Sequence, residues 1–435
     1  MKLKMRGIVG GLVFMLPLFL HAETLVEAVE EVINSNPNVL ASINERQAAA
    51  EEIKQAQAGY LPTLDLAIGT GWEMTDSPAT RGEVHFNRDE ASLQLRQMIF
   101  DGMETKNEVR RLTARTDSRA YNIMGTSEDK ALEAIEAYLN VLRRQHLVDL
   151  AITNLEAHDR THDQINLRSE YGVGRKADED QSSGRLALAK ANLIAEQSNQ
   201  IDAETIYLRV VGIVAEDLTD PDSPRSLIPE TLDEAIALAL EGHPTLKSAM
   251  ADVESSNAQY DTAKSPFFPR VDFELGTTTN NDIDGVNGTN KDITAMFRLR
   301  YNLLNGGRDS ARREETAYLI NQATEIRNNT HRQVEQSMRL SWNALKTVDM
   351  QREYFEIHVK ASKRSRDAYQ QQFNLGQRTL LDLLDSENEV FVASQDYVNS
   401  QYDEYIALYR ILNSMGVLLP SLNVELPEAS AIVSK

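Results

Sequence analysis

The chain has 435 residues, 26% of them charged, and its 66 acidic against 45 basic side chains give a formal net charge of −21. An acid excess of that size excludes a general nucleic-acid binder and fits a solvated surface or a conduit that favours cations. The complete lack of cysteine removes disulfides, thiolate metal sites and cysteine nucleophiles together.

The first 22 residues read as an address. Lys2, Lys4 and Arg6 precede an apolar run of 13 residues, 8–20. Such a run is too short to cross a bilayer as a helix, which needs about 20 residues, but it suits a secretory leader ending at Ala22. The leader carries three positive charges and no negative one, so its removal takes −21 to −24.

From residue 23 the chain states one unit twice. At an offset of 207 residues, Thr24, Leu25, Glu27, Ala28, Pro37, Ala56, Pro62, Asp65, Gly69 and Thr70 meet identical residues; at 204, Leu95, Arg96 and Gly102 do so. Self-similarity on this scale means two copies of one structural unit. The copies are 23–215 and 231–418, joined by a linker at 216–230 and followed by a loose tail at 419–435.

Each copy opens with short helices and then two segments that alternate apolar and polar residues. These are expected as strands at 62–73 and 90–100, then 268–278 and 291–304. Leu64, Leu66, Ile68 and Trp72 share one face of the first. Ile293, Phe297, Leu299, Tyr301 and Leu303 share one face of the last, opposite Asp292, Arg298 and Arg300. Period-two alternation over about ten residues is the pattern of a membrane β-strand. Full charges on the polar face suit a water-filled lumen better than a soluble core. Tyr60, Phe100, Phe267, Phe268 and Tyr301 gather at one end, as an interfacial girdle does. The stretch 279–290, TNNDIDGVNGTN, reads as a polar surface loop between strands.

The rest reads as long helix. One helix runs from 102 to about 170, turns at Tyr171-Gly172-Val173-Gly174, and returns from about 177 to 211. Its counterpart runs from 309 to 372, turns at Phe373-Asn374-Leu375-Gly376, and returns to about 414. Roughly 70 helical residues span on the order of 100 Å. Helices this long without a broad apolar face must pack through narrow seams, as coiled coils do.

Two copies supply four strands, whereas about eight is the smallest number that closes a membrane barrel. An open edge in lipid leaves unpaired backbone groups costing several kcal/mol each. The barrel is therefore expected to be shared between the subunits of a closed ring.

Enzyme signals are weak. His158 and His162 in HDRTH lie four apart on a helix and resemble the zinc-protease pattern H-E-x-x-H, but Asp159 replaces the glutamate base and no third ligand is identifiable. They read as a solvated helix face. The glycine run at 7–11 follows no strand and opens no phosphate loop. Asp382 and Asp385, alone, would be a solvated i, i+3 pair.

The order of elements, the duplication and the segment 376–418, beginning GQRTLLDLLDSENE, resemble the TolC family of outer-membrane channel proteins over essentially the whole mature chain. The resemblance implies a mainly α fold with a membrane β part: three chains forming one 12-stranded barrel and a periplasmic helical tunnel. It implies no catalysis and no cofactor. It implies a homotrimer in outer-membrane lipid, met at its helical tips by a periplasmic adaptor and an inner-membrane ABC or proton-driven pump. The tips would be Gly172, Val173 and Gly174 with Asn374, Leu375 and Gly376. Asp382 and Asp385 match the family's acidic constriction. Arg378 matches an arginine tying adjacent hairpins in the closed state, with Asp180 its partner, six residues after Gly174 as Asp382 is six after Gly376. The first hairpin departs from the family pattern at Arg175, Lys176, Asp178 and Glu179, and Phe373 replaces a common tyrosine. The second-hairpin wording is nearest to members serving type I protein secretion; a small-molecule efflux duct is the alternative. A periplasmic adaptor would need β-rich domains around a single hairpin, and a helical filament would leave the strands unexplained.

Overall fold

A computed structural model describes residues 23–433; the leader assigned to 1–22 lies outside them. The duplication appears as two copies of one element order. Helices α1 (Leu25–Ser35) and α2 (Pro37–Gln57), strands β1 (Thr63–Ser77) and β2 (Gly82–Phe100), and helices α3 (Glu104–Glu170) and α4 (Lys176–Val211) form the first. Helices α5 (Leu232–Gly242) and α6 (Pro244–Thr262), strands β3 (Arg270–Ile283) and β4 (Val286–Arg300), and helices α7 (Arg308–Asn374) and α8 (Leu380–Met415) form the second. Helices α3 and α7 both have 67 residues, and α4 and α8 both have 36. The shift of three residues from an offset of 207 to one of 204 falls at the strand turns: four residues join β1 to β2 and two join β3 to β4, and β3 is one residue shorter than β1.

The repeated residues are the ones that start the short helices. Thr24 caps α1, and the Glu27 side chain accepts back from the Thr24 backbone at 2.8 Å, a capping box. Thr231 caps α5 by accepting from the Glu234 backbone at 3.3 Å. Pro37 and Pro244 take the first turn of α2 and α6, where a missing N–H costs nothing.

The strands form one antiparallel sheet in the order β1-β2-β3-β4, with β1 and β4 at its edges. Register puts Leu64 opposite Leu95, Leu95 opposite Leu275, and Leu275 opposite Ala295, so the apolar residues of all four strands share one face. Leu64, Leu66, Ile68, Trp72, Ile293 and Phe297 all lie exposed there. The other face carries Asp65, Arg96, Asp272, Glu274, Arg298 and Arg300.

Three sequence expectations fail here. Strand β2 begins at Gly82, eight residues before the expected 90, and its residues 82–89 pair with 70–77 of β1. The stretch 279–290 is not a loop: β3 continues to Ile283, β4 begins at Val286, and Asn281 pairs with Thr289. Asp284 (φ 57°) and Gly285 (φ 75°) make a two-residue turn with both residues left-handed, the geometry that suits the twist of a tight hairpin. At its other end β4 stops at Arg300, so Tyr301 and Leu303 lie beyond the strand.

Among the described residues no helix is long and apolar enough to cross a membrane. Helices α4, α3, α8 and α7 lie side by side in that order. The main core sits part-way along them, where α1 and α5 wrap Ile135, Tyr138, Leu139, Tyr207, Met338, Leu408 and Ile411. Tyr138 Oη lies 2.8 Å from the Glu23 carbonyl and 2.7 Å from the Thr219 carbonyl, tying the start of the chain to the linker.

The tail is not loose. Gly416 turns the chain with φ 71°, and a Cβ there would stand 2.6 Å from Pro244 Cδ. Leu418 and Leu419 are fully buried, and Val433 donates to Asp117 at 2.7 Å. The buried Glu128 carboxylate on α3 accepts the backbone N–H groups of Leu418 (2.8 Å) and Leu419 (3.1 Å). Burial pushes its pKa up from 4.5 to about 7, against those two hydrogen bonds. The folded state therefore holds a proton that the unfolded state releases above 4.5, so this group's stabilisation is complete below 4.5 and is lost as pH rises through about 7. The loss should amount to about 3 kcal/mol. Glu128→Gln should flatten the fall in the guanidinium unfolding midpoint between pH 5 and pH 8; an unchanged slope would assign the pH dependence to other groups.

Candidate functional site: channel lining and helical tips

The helical tips lie at the far ends of the long helices from the sheet. Gly172 and Gly376 occupy equivalent places, both with φ 73°, each ending a 67-residue helix. No atom lies within 4 Å of a Cβ built on either. The tips therefore align Gly376 with Gly172 rather than with Gly174, and the counterpart of Asp382 is Asp178 rather than Asp180. Gly174 serves a different purpose: a Cβ there would lie 2.7 Å from Ser169 N, so it permits close approach of two backbones. Val173 and Leu375 stand 80% and 73% exposed, bare apolar side chains at the extremity of the molecule. Asn374 closes α7 beside them.

Behind the second tip, Phe373, Leu380, Leu383 and Leu384 pack with Ile165 into a small separate core. That core turns Asp382 and Asp385 outward. Asp382 is the third residue of α8 and completes a capping box: Thr379 donates to it from Oγ1 at 2.8 Å and from its backbone at 3.2 Å. Those hydrogen bonds hold its pKa below the ordinary value. Asp385 accepts from Arg185 on α4 at 2.6 Å, a link between the two hairpins of one chain. Sequence reasoning missed both roles. Thr379-x-x-Asp382 is a capping-box signature that could have been read; nothing marks a pair 200 residues apart.

Within the chain, Arg378 and Asp180 do not meet. Arg378 donates to Gln372 at 3.0 Å, lies 3.8 Å from Asp382 and stacks on the Tyr369 ring at 4.4 Å. Asp180 lies 3.7 Å from Lys176, itself bound to Glu179 at 2.8 Å. Arg175 precedes α4 without a side-chain cap, and Asp178 sits in its first turn. Arg168 covers the Phe373 ring at 4.9 Å.

The histidine pair is not a solvated face. His158 is buried, and burial lowers its pKa; the His162 ring lies 3.0 Å from Ser182 Oγ on α4. The His162 ring thus joins α3 to α4. Among the described residues no group of three or more histidine, cysteine or acidic residues could hold a metal ion.

Long paired helices joined to a sheet with one apolar and one charged face are the parts expected of a channel-forming envelope protein. The chain belongs to the outer membrane efflux protein family, whose profile matches residues 28–209 and again 235–417, one match per repeat. It is an outer-membrane channel of the TolC type with a periplasmic helical part. Outer membrane efflux protein BepC of Brucella suis is 24% identical over 401 residues, covering 91% of this chain and 86% of that protein. Outer membrane protein TolC of Escherichia coli is 23% identical, covering 92% and 83%. The alkaline protease secretion protein AprF of Pseudomonas aeruginosa is 24% identical, covering 96% and 89%. Among solved structures, a membrane protein from Pseudomonas aeruginosa superposes with a TM-score of 0.81 at 16% identity, with 90% of each chain covered. VceC of Vibrio cholerae gives 0.77 at 15%, covering 90% of this chain and 96% of that one.

Proposed function

We propose that three chains close into one 12-stranded barrel and one helical tunnel, the exit duct of a tripartite export system. The observation that carries this is that one chain ends openly on both sides, in the sheet and in the helix layer alike. Strands β1 and β4 are unpaired on their outer edges, a liability that ring closure removes. Helices α4 and α7 flank the layer. Ile194, Ile201 and Leu208 recur every seven residues on α4, exposed on the side away from α3. Leu340, Met350, Tyr354 and Ile357 lie exposed on α7, away from α8.

The levels of these two stripes match. Arg209 on α4 meets Glu133 on α3, and Ser414 on α8 meets Ser337 on α7. The 204-residue relation between repeats carries Glu133 to Ser337, so Leu208 stands within about half a helical turn of the level of Leu340, and Ile194 of Tyr354. Rotation about an axis along the helices keeps those levels, so α4 of one chain meets α7 of the next as an antiparallel seam.

At the tip, threefold symmetry would bring three copies of Asp382 and Asp385 around one axis. Converging carboxylates attract cations. In planar bilayers the channel should be cation-selective and blocked by multivalent cations, and Asp382→Ala with Asp385→Ala should weaken both properties. Arg378→Ser should raise single-channel conductance if Arg378 binds Asp180 of a neighbouring hairpin; a partly exposed pair of this kind contributes about 1 kcal/mol per copy, a latch and not a lock. Unchanged selectivity and block in the double-alanine channel would place the constriction elsewhere.

The partners in this reading are a periplasmic adaptor at the tips and an inner-membrane pump, and the cargo is protein exported by type I secretion. The wording of the second hairpin and the likeness to AprF support it; the likeness to BepC supports small-molecule efflux as the alternative. Expression in a host lacking its own channel separates them. Restored secretion of a type I protease supports the first reading, and restored drug resistance without secretion the second.

A further inference from the structure

We propose that Arg96, Arg270, Arg298 and Arg300 form a binding belt for multivalent oxyanions on the inner wall of the barrel, at its helical end. The proposal rests on the ring reading above, which turns the charged face of the sheet toward the lumen.

Two carboxylates hold the four arginines in place. Asp272 is fully buried and Glu274 is 6% exposed. Arg300 donates to both, at 2.8 and 2.7 Å, and Arg298 donates to Glu274 at 2.8 Å. Arg270 reaches Asp272 through Nε at 3.2 Å, and Arg96 Nε lies 3.7 Å from Glu274. Buried charges must be paired to be tolerated, so the acids are spent on this task. The guanidinium groups are not: all four remain 44–48% exposed. Four cations against two anions leave two positive charges per chain, hence six in a ring of three.

Donors remain free as well as charge. Among the described residues the terminal nitrogens of Arg96 and Arg270 make no hydrogen bond. A guanidinium fork matches an oxyanion in two parallel bonds, and neighbouring strands of one wall offer several forks to one ligand. The belt is local: Asp65 lies diagonally across from Arg96, Glu90 and Asp292 occupy this face further along the strands, and Asp101, Glu104 and Asp309 border Arg270 and Arg300 on the helical side. A duct whose tip favours cations would thus carry an anion site at its opposite end. The ligand class is phosphate, sulfate or clustered carboxylate on passing cargo; lipid headgroups lie on the other face of the wall and do not reach it.

The test is single-channel recording of the reconstituted full chain with inorganic tripolyphosphate as probe. Tripolyphosphate added on the barrel side should block the parent, and Arg96→Gln with Arg270→Gln should raise the half-blocking concentration about tenfold or more. Arg96→Lys with Arg270→Lys, which keep the charge and lose the fork, should give a half-blocking concentration between the two. These two arginines are chosen because Arg298 and Arg300 still pair the buried acids in their absence. A parent that conducts without block, or a glutamine variant blocked like the parent, overturns the belt. If the glutamine variant does not assemble, the parent alone decides: block must be stronger from the barrel side than from the tip side, and equal block overturns the belt. A parent that forms no channel overturns the duct reading itself.

Discussion

Ile194→Asp combined with Ile201→Asp is expected to leave each chain folded and to stop three chains from closing into a ring. Both side chains are more than 60% exposed in the single chain, so neither is needed for its core. In the seam each would be buried, and burial of an isoleucine contributes about 1.5–3 kcal/mol. An aspartate there loses that contribution and adds the larger cost of an unpaired buried charge. The loss falls on all three interfaces of the ring at once, so its effect is multiplied. Light scattering in detergent should give the mass of three chains for the parent and of one for the variant. A variant that stays trimeric would remove α4 from the interface. A parent that is a monodisperse monomer would remove the ring.

The second large effect is expected at the tips. Gly174→Phe with Gly376→Phe should abolish export while the trimer still reaches the outer membrane. The two glycines act differently, and single variants separate their roles. At Gly376 nothing lies within 4 Å of a new Cβ, so the protein itself has room for the ring and bears only the strain of a left-handed residue, about 1–2 kcal/mol. Lost export in Gly376→Phe would therefore report a surface that a partner must approach. At Gly174 the new side chain collides with the Ser169 backbone and reshapes the tip. Normal export by the double variant would show that no partner docks there.

Much of this architecture was legible because it depends on spacing. Period-two alternation placed all four strands, and the 207- and 204-residue offsets placed the repeats, since a duplicated fold must keep its spacing to keep its packing. The start of each long returning helix was readable from glycine and turn residues. What escaped was of two kinds. Some signals were present and passed over: Asp284-Gly285 between pairing segments is a hairpin turn, and Thr379-x-x-Asp382 is a helix cap. Others have no sequence form. The Arg185–Asp385 link, the buried His158 and the Glu128 clasp on the tail join residues that only the fold brings together. The same limit explains the tip alignment. Counting from a glycine chose Gly174, whereas the left-handed backbone that ends the helix is at Gly172.

The equal lengths of the paired helices, 67 and 67, 36 and 36, restrict how such a protein can change by insertion and deletion. Seven residues added to each arm of one hairpin alone would push its tip about 10 Å past the other. In the proposed ring of three chains, every second tip would then stand proud, and a partner seated on all of them would rock on three. Length in the helices must therefore vary in both repeats together or not at all. The strand turns lie at the opposite end and bear no such load. They differ by two residues between the repeats, and that is where this chain's ancestry has been free to drift.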